Sequence, residues 1–171
     1  FPYTTLFRSD PVLYFEHKKA YRFLKEEVPE TYYTVPLGKA DVKRPGEDIT
    51  VFCYGLMVNY CLQAADILAN DGIDAEVVDL RTVYPLDKAT IIERSQRTGK
   101  VLLVTEDNLE GSIMSEVSAI IAENCLFDLD APIMRLAAPD VPSMPFSPTL
   151  ENEIMMNPEK IQDKMRELAQ F

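Results

Sequence analysis

The sequence has no tryptophan, one histidine and three cysteines among its 171 residues. A histidine-based metal site and a Ser/His/Asp triad both need imidazole groups, so the lone His17 nearly excludes them, and we interpret it as a surface residue beside two lysines. Cys53, Cys61 and Cys125 form no CxxC motif. Their spacing argues against a disulfide or zinc site and indicates reduced core residues of a cytoplasmic protein.

Long apolar runs, excess positive charge and nucleotide-binding motifs are also missing. No apolar run approaches the roughly 20 residues that span a bilayer, and the start lacks the cationic and apolar parts of a signal peptide. The formal net charge of −11 disfavours nucleic acid and anionic membranes as partners and favours basic proteins. Because neither GxGxxG nor GxxxxGK[ST] occurs, the dinucleotide-binding and P-loop interpretations lose their main support.

A regular alternation of strand and helix patterns begins at Ile49. Short β-branched or apolar runs predict the strands, and apolar residues at helical spacing predict the helices between them. The predicted strands are ITVFCY (49–54), DAEVVDL (74–80), KVLLVTE (100–106) and APIMRLA (131–137), and the predicted helices are 58–69, 87–98, 112–125 and 158–170. Asp87 and Ser112 are predicted N-caps, and Gly72 a C-terminal cap.

This alternation predicts an α/β fold with three α/β/α layers and a mostly parallel sheet of about five strands. The segment GKADVK (38–43) is predicted to add an antiparallel edge strand. Four prolines spaced by three residues, from Pro139 to Pro148, predict an extended surface loop. We place a domain boundary near Val35, because residues 10–34 contain a predicted strand, PVLYFE, and then a polar, tyrosine-rich connector.

Candidate site residues come first from the carboxyl ends of the predicted strands, where parallel sheets bind ligands. Arg81 and Glu106 end two central strands and are candidates to pair across that face. Such a pair is either a structural ion pair or a contact to a neighbouring subunit. Residue types and spacing alone therefore indicate an α/β domain without a visible reaction centre.

Several segments resemble the C-terminal, transketolase-like domain of beta subunits of thiamine-diphosphate-dependent 2-oxo acid dehydrogenases. They are KADVKRPGEDITVFCYG, VVDLRTVYPLD, VLLVTEDNLEGSIMSEVSA and LDAPIMRLAAPDVPSMPFSP. PVLYFEHKKAYR and RTVYPLDKATI are most similar to the bacterial branched-chain members. The resemblance implies that residues 10–34 are the end of a truncated pyrimidine-binding domain with its linker, and that residues 35–171 are the transketolase C-terminal-like domain.

This resemblance implies a bacterial, cytoplasmic α2β2 enzyme that decarboxylates a branched 2-oxo acid and passes the acyl group to the lipoyl group of an acyltransferase. It places the activating glutamate in the N-terminal domain, and the diphosphate with its Mg²⁺ in the alpha subunit. We therefore assign no catalytic, cofactor-binding or metal residue to this chain and expect the isolated chain to be inactive. A pyruvate dehydrogenase beta subunit, another transketolase-like enzyme and a stand-alone interaction module remain as alternatives.

The resemblance also implies three protein partners. They are the alpha subunit, a second beta subunit and the small basic subunit-binding domain of the acyltransferase. Related beta chains use their C-terminal carboxylate for this docking, which points to Phe171, where this sequence ends. Asp128 and Asp130 are predicted to assist, because opposite charge speeds encounter and fixes orientation.

The first nine residues, FPYTTLFRS, differ from the rest of the chain. They resemble the conceptual translation of a sequencing-adapter oligonucleotide, and we interpret residues 1–9 as a non-native leader without regular packing. The alternative is a genuine extra strand that buries its aromatic side chains.

Overall fold

The computed structural model describes residues 11–142 and 144–171, so the predicted leader lies outside the described residues. Its sheet has the order β1-β3-β2-β4-β5, with β1 antiparallel to β3 and the other neighbours parallel. The strands are β1 Asp41–Arg44, β2 Ile49–Cys53, β3 Ala75–Asp79, β4 Val101–Asn108 and β5 Met134–Ala138. The predicted α/β fold and its antiparallel edge strand are confirmed.

Helices cover both faces of this sheet. They are α1 Ala20–Phe23, α2 Leu56–Ala69, α3 Lys88–Thr98, α4 Ile113–Cys125, α5 Pro148–Ile154 and α6 Pro158–Ala169, with a 3₁₀ helix at Leu126–Asp128. Within residues 11–142 and 144–171, none of the helices is both long and apolar enough to span a bilayer.

The core consists of two apolar clusters separated by the sheet. Ile49 and Val51 of β2 face α2 and α6, whereas Phe52 of the same strand faces α3 and α4. All five residues of β2 are buried, as expected of a parallel strand covered on both faces. The three cysteines are free and buried, which confirms their interpretation as reduced core residues.

The helix ends follow the predicted caps in part. Asp87 accepts hydrogen bonds from the backbone N–H and the hydroxyl of Thr90, and from the backbone N–H of Ala40. Although its burial alone acts in the opposite direction, these bonds hold the pKa of Asp87 below its ordinary value. Ser112 occupies the N-cap position of α4, but its side chain makes no capping bond. Gly72, at φ +80°, donates to the carbonyl of Ala69 at the end of α2.

The prediction of a strand at PVLYFE is wrong. Residues 11–16 have no regular structure and stay exposed, with the side chains of Tyr14 and Phe15 85% accessible. Among the described residues no strand pairs with this segment, and an apolar run without a paired neighbour forms no sheet. The structure adds two short helices that the sequence pattern did not predict, α1 and α5. The domain boundary near Val35 stays a prediction.

Candidate functional site

At the carboxyl edge of the sheet, Arg81 follows β3 in a left-handed conformation, with φ +57°. Its backbone N–H donates to Asp79 Oδ1 at 2.9 Å, and its guanidinium donates to Asp41 Oδ2 at 2.6 Å. Burial raises the pKa of Asp79, and the Arg81 N–H partly opposes this shift. Arg81 therefore joins β3 to the edge strand β1.

Arg81 and Glu106 do not form the predicted ion pair, and a contact of either residue to a neighbouring subunit stays a prediction. β2 lies between β3 and β4, so the two side chains stand above strands that are not neighbours. Glu106 instead lies 3.1 Å from Nε2 of His17, through Oε2. His17 thus lies at the surface, half-buried against the carboxyl end of β4, in a side-chain contact that the sequence did not predict.

Tyr54 and Thr105 lie at the same edge, with their hydroxyl oxygens 2.9 Å apart. Burial raises the pKa of Tyr54, the Thr105 hydrogen bond opposes the shift, and the nearby Asp107 and Glu106 carboxylates add to it. Such a tyrosine is a poor general base at neutral pH. In the part of the chain that the structure describes, no group of three or more His, Cys, Asp or Glu side chains is placed to hold a metal ion.

The predicted docking residues lie at the opposite, amino edge of the sheet, around the turn between α3 and β4. The backbone N–H of Asp130 donates to the carbonyl of Gly99 at 2.7 Å. Lys100 Nζ donates to the carbonyl of Ala169 at 3.3 Å, two residues before Phe171. Asp128 and Asp130 follow α4, which packs on one face of the sheet, and Phe171 follows α6, which packs on the other, so the three residues approach the amino end of β4 from opposite faces.

The α3–β4 turn holds the acidic residues in place. Gly99 has φ +66°, and a Cβ there would lie 2.5 Å from Asp130 Oδ2 and 3.0 Å from the carbonyl oxygen of Asp128. Asp128 remains exposed and accepts a hydrogen bond from Gln96 at 2.9 Å. Burial, and secondarily the Asp128 carboxylate, raise the pKa of the adjacent Cys125 thiol.

Two apolar residues complete this surface and were missed from the sequence. Leu126 and Phe127, in the 3₁₀ helix, are 60% and 99% exposed, and Phe171 is 61% exposed. The available signal was a pair of large apolar residues directly after the last buried position of α4. We name the set Leu126, Phe127, Asp128, Asp130 and Phe171 the docking edge. Its apolar and acidic groups together suit a partner that is basic and partly apolar.

Comparison with protein families and curated proteins gives a consistent result. The family model described as "Transketolase, C-terminal domain" matches residues 38–161. The chain is 67% identical over 163 residues to the 2-oxoisovalerate dehydrogenase subunit beta of Bacillus subtilis (strain 168), covering 95% of this chain and 50% of that protein. It is 45% identical, with the same coverage, to the pyruvate dehydrogenase E1 component subunit beta of that organism.

One further curated protein and one solved structure are also similar to this chain. The acetoin:2,6-dichlorophenolindophenol oxidoreductase subunit beta of Bacillus subtilis (strain 168) is 46% identical over 90% of this chain and 44% of that protein. A solved structure titled "Split gene transketolase, inactive beta4 tetramer" superposes with a TM-score of 0.71 at 24% identity, covering 84% of this chain and 47% of that one. The likeness shows the fold. The chain spans about half the length of the curated relatives that it matches.

Proposed function

Since the chain belongs to the transketolase C-terminal domain family, we propose that it is the C-terminal part of the beta subunit of a branched-chain 2-oxo acid dehydrogenase. In this role it supports the assembly of an α2β2 enzyme in the bacterial cytoplasm and docks that enzyme to the lipoyl acyltransferase. The 67% identity to a 2-oxoisovalerate dehydrogenase beta subunit supports this choice. The identity to a pyruvate dehydrogenase beta subunit is lower, at 45%, so the chain is less similar to the pyruvate-specific alternative.

The docking edge is the observation that carries the proposal. Phe127 and Phe171 offer exposed aromatic side chains, the type of residue that often anchors protein interfaces. Asp128 directly follows Phe127, and Asp128 and Asp130 both lie against the turn at Gly99. A small basic domain would gain apolar contact from the first pair and electrostatic orientation from the second.

We propose that thiamine diphosphate and Mg²⁺ are bound outside this chain in the intact enzyme. The residues of this chain do not suit either group, because the carboxyl edge carries paired or partly buried carboxylates and no glycine-rich phosphate loop. Neither Arg81 nor Glu106 is available as a free ligand, since each is bonded to a side chain of this chain. The lipoyl group reaches the enzyme with the acyltransferase and accepts the acyl product there.

Replacing Phe171 with alanine is expected to weaken binding of the acyltransferase subunit-binding domain by about ten- to thirty-fold, because an exposed aromatic anchor is lost. The double change Asp128→Asn and Asp130→Asn is expected to weaken binding less and to reduce its dependence on salt. Calorimetric titration of this chain with the purified domain at two salt concentrations measures both effects.

Phe146→Ala and Glu110→Gln are the matched controls. Both side chains are exposed and lie in segments that follow the carboxyl ends of β5 and β4, away from the docking edge. Their binding constants should equal that of the unchanged chain. Equal loss of binding in the control and docking-edge variants would refute the assignment of this surface, and no binding by the unchanged chain would refute the docking role.

A further inference from the structure

The turn between α3 and β4 contacts both halves of the docking edge. On one side, the carbonyl of Gly99 accepts a hydrogen bond from the backbone N–H of Asp130 at 2.7 Å. On the other side, Lys100 Nζ donates to the carbonyl of Ala169, the last residue of α6, at 3.3 Å. Because α4 and α6 pack on opposite faces of the sheet, this turn joins the aspartates on one face to the residues before Phe171 on the other.

The direction of the Lys100 side chain follows from the alternation of β4. The carbonyl of Lys100 accepts from the Thr50 N–H of β2 at 2.9 Å, so this residue continues the ladder just before β4 begins. Alternate residues of a strand share a face, so Lys100 is on the side of Leu102. Leu102 packs in the same cluster as Ile161 of α6, whereas Val101 packs in the other cluster. The lysine is therefore directed to α6.

The Lys100 ammonium completes the C-terminus of α6. A helix leaves its last four carbonyls without partners inside the helix. The backbone N–H groups of Gln170 and Phe171 donate to carbonyls of the last helical turn, and Lys100 supplies the donor for the carbonyl of Ala169. A cation at this end of a helix is also attracted by the partial negative charge there. The ammonium thus holds the backbone two residues before Phe171.

The turn itself is anchored to buried side chains. Thr98, which is 8% exposed, donates through its hydroxyl to the carbonyl of Lys100 at 3.2 Å. The same hydroxyl lies 2.9 Å from that of Thr50, which in turn donates to the buried carboxylate of Glu76 at 3.1 Å. Groups bonded in a buried network have little freedom to move. Lys100 and Gly99 therefore make their bonds to the docking edge from a fixed base.

We propose that Lys100 is a positioning residue of the docking edge, and that its bond to Ala169 sets the orientation in which Phe171 meets the basic partner. This inference rests on the proposed docking function. Charge alone gives the opposite expectation, because a lysine beside Asp128 and Asp130 repels a basic domain and its removal should strengthen binding. The sign of the change in affinity therefore separates positioning from simple electrostatics.

Lys100→Met removes the ammonium and keeps an unbranched side chain. We expect it to weaken binding of the purified subunit-binding domain about three- to ten-fold in calorimetric titration. The loss stays below that of Phe171→Ala, because a positioning residue contributes no more than the anchor that it orients. Lys100→Arg keeps a cationic donor and should bind within about two-fold of the unchanged chain.

Lys164→Met is the matched control. It removes the same charge from α6, where Lys164 Nζ pairs with Glu167 at 2.8 Å. Its affinity should equal that of the unchanged chain or be slightly higher. Equal affinities for Lys100→Met and Lys164→Met would overturn the positioning role.

A double-mutant cycle with Phe171→Ala identifies the residue through which Lys100 acts. Once the aromatic anchor is removed, Lys100→Met should cause no further loss of affinity. A full loss that persists without Phe171 would overturn the proposal, because Lys100 would then act on the partner by another route.

Amide hydrogen exchange in the chain alone, read by NMR, separates this inference from the docking role. The backbone N–H groups of Gln170 and Phe171 should exchange about three- to ten-fold faster in Lys100→Met than in Lys164→Met, because the end of α6 is released. No binding of the domain by the unchanged chain would refute the docking role alone, and the exchange rates would then decide the role of Lys100. Equal exchange rates in the two variants would refute it.

Discussion

Replacing Glu76 with alanine is expected to lower the free energy of unfolding by about 3–5 kcal/mol, because two arginines lose the buried carboxylate that they share. Glu76 lies in β3 with no solvent exposure. Its Oε2 accepts from Arg97 at 2.7 Å and lies 3.5 Å from Arg94, and its Oε1 accepts from the Thr50 hydroxyl at 3.1 Å. Without Glu76 this site keeps two guanidinium groups and a hydroxyl with no buried carboxylate between them.

Arg97 cannot offset the removal of the Glu76 carboxylate by losing its own charge. Burial alone would lower the pKa of Arg97, but the carboxylates of Glu76 and Glu47 raise it above its ordinary value. The substitution removes the Glu76 contribution, but a guanidinium stays protonated in proteins, so Arg97 remains a cation. Urea denaturation of the variant, followed by circular dichroism, gives the change in free energy.

Glu47→Ala is the matched control for Glu76→Ala. Glu47 binds the same Arg97 at 2.8 Å, but its side chain is 76% exposed. A solvent-exposed ion pair contributes only about 0–1 kcal/mol, so this variant should unfold close to the unchanged chain. Comparable losses in the two variants would mean that burial of Glu76 does not determine its contribution.

Gly46→Ala is expected to cost about 3 kcal/mol, because the turn between β1 and β2 has no space for a side chain. A Cβ at Gly46 would lie 2.4 Å from the carbonyl carbon of Ala75 and 2.4 Å from the backbone nitrogen of Glu76. Both of these atoms belong to β3, so only a shift of backbone relieves the contact. The Gly46 carbonyl also accepts from Arg97, which couples the turn to the buried glutamate.

Gly72→Ala separates crowding from backbone strain. Nothing lies within 4 Å of a Cβ at Gly72, but its φ is +80°. The left-handed conformation alone costs an L-residue roughly 1–2 kcal/mol. Urea midpoints should therefore fall further for Gly46→Ala than for Gly72→Ala, and the reverse order would show that the β1–β2 turn relaxes freely.

Sequence periodicity was sufficient for most of the fold. The runs 49–54 and 100–106 are mostly apolar because their strands are covered on both faces, and this property is local to each run. The Asp87 cap was also predictable, since capping depends on residues three positions apart. PVLYFE carries the same local signal, but a strand also needs a neighbour, which no local pattern records.

Long-range arrangement explains the remaining errors. Arg81 follows β3 and Glu106 lies near the carboxyl end of β4, yet the sheet order puts β2 between those strands. Glu76 reads as an ordinary polar position in AEVVD, and its burial becomes apparent only when α3 places Arg94 and Arg97 above it. Such contacts depend on the packing of segments that are distant in sequence.

The docking edge shows what a family resemblance adds. Phe171, Asp128 and Asp130 were predicted through the resemblance; the structure places the two aspartates at Gly99 and bonds Lys100 to Ala169, two residues before Phe171. Leu126 and Phe127 were not predicted because they directly follow α4. Beyond the end of a helix, the spacing of apolar residues no longer indicates which side chains are exposed. Whether these residues bind the acyltransferase stays a prediction.

The central claim is that this chain supplies assembly and docking surfaces and contains no reaction centre. Calorimetric titration of the purified chain with thiamine diphosphate in the presence of Mg²⁺ tests it most directly. The account predicts no saturable heat, because the sequence has no glycine-rich phosphate loop and residues 11–142 and 144–171 present no set of metal ligands. A saturable, Mg²⁺-dependent binding curve would contradict the account.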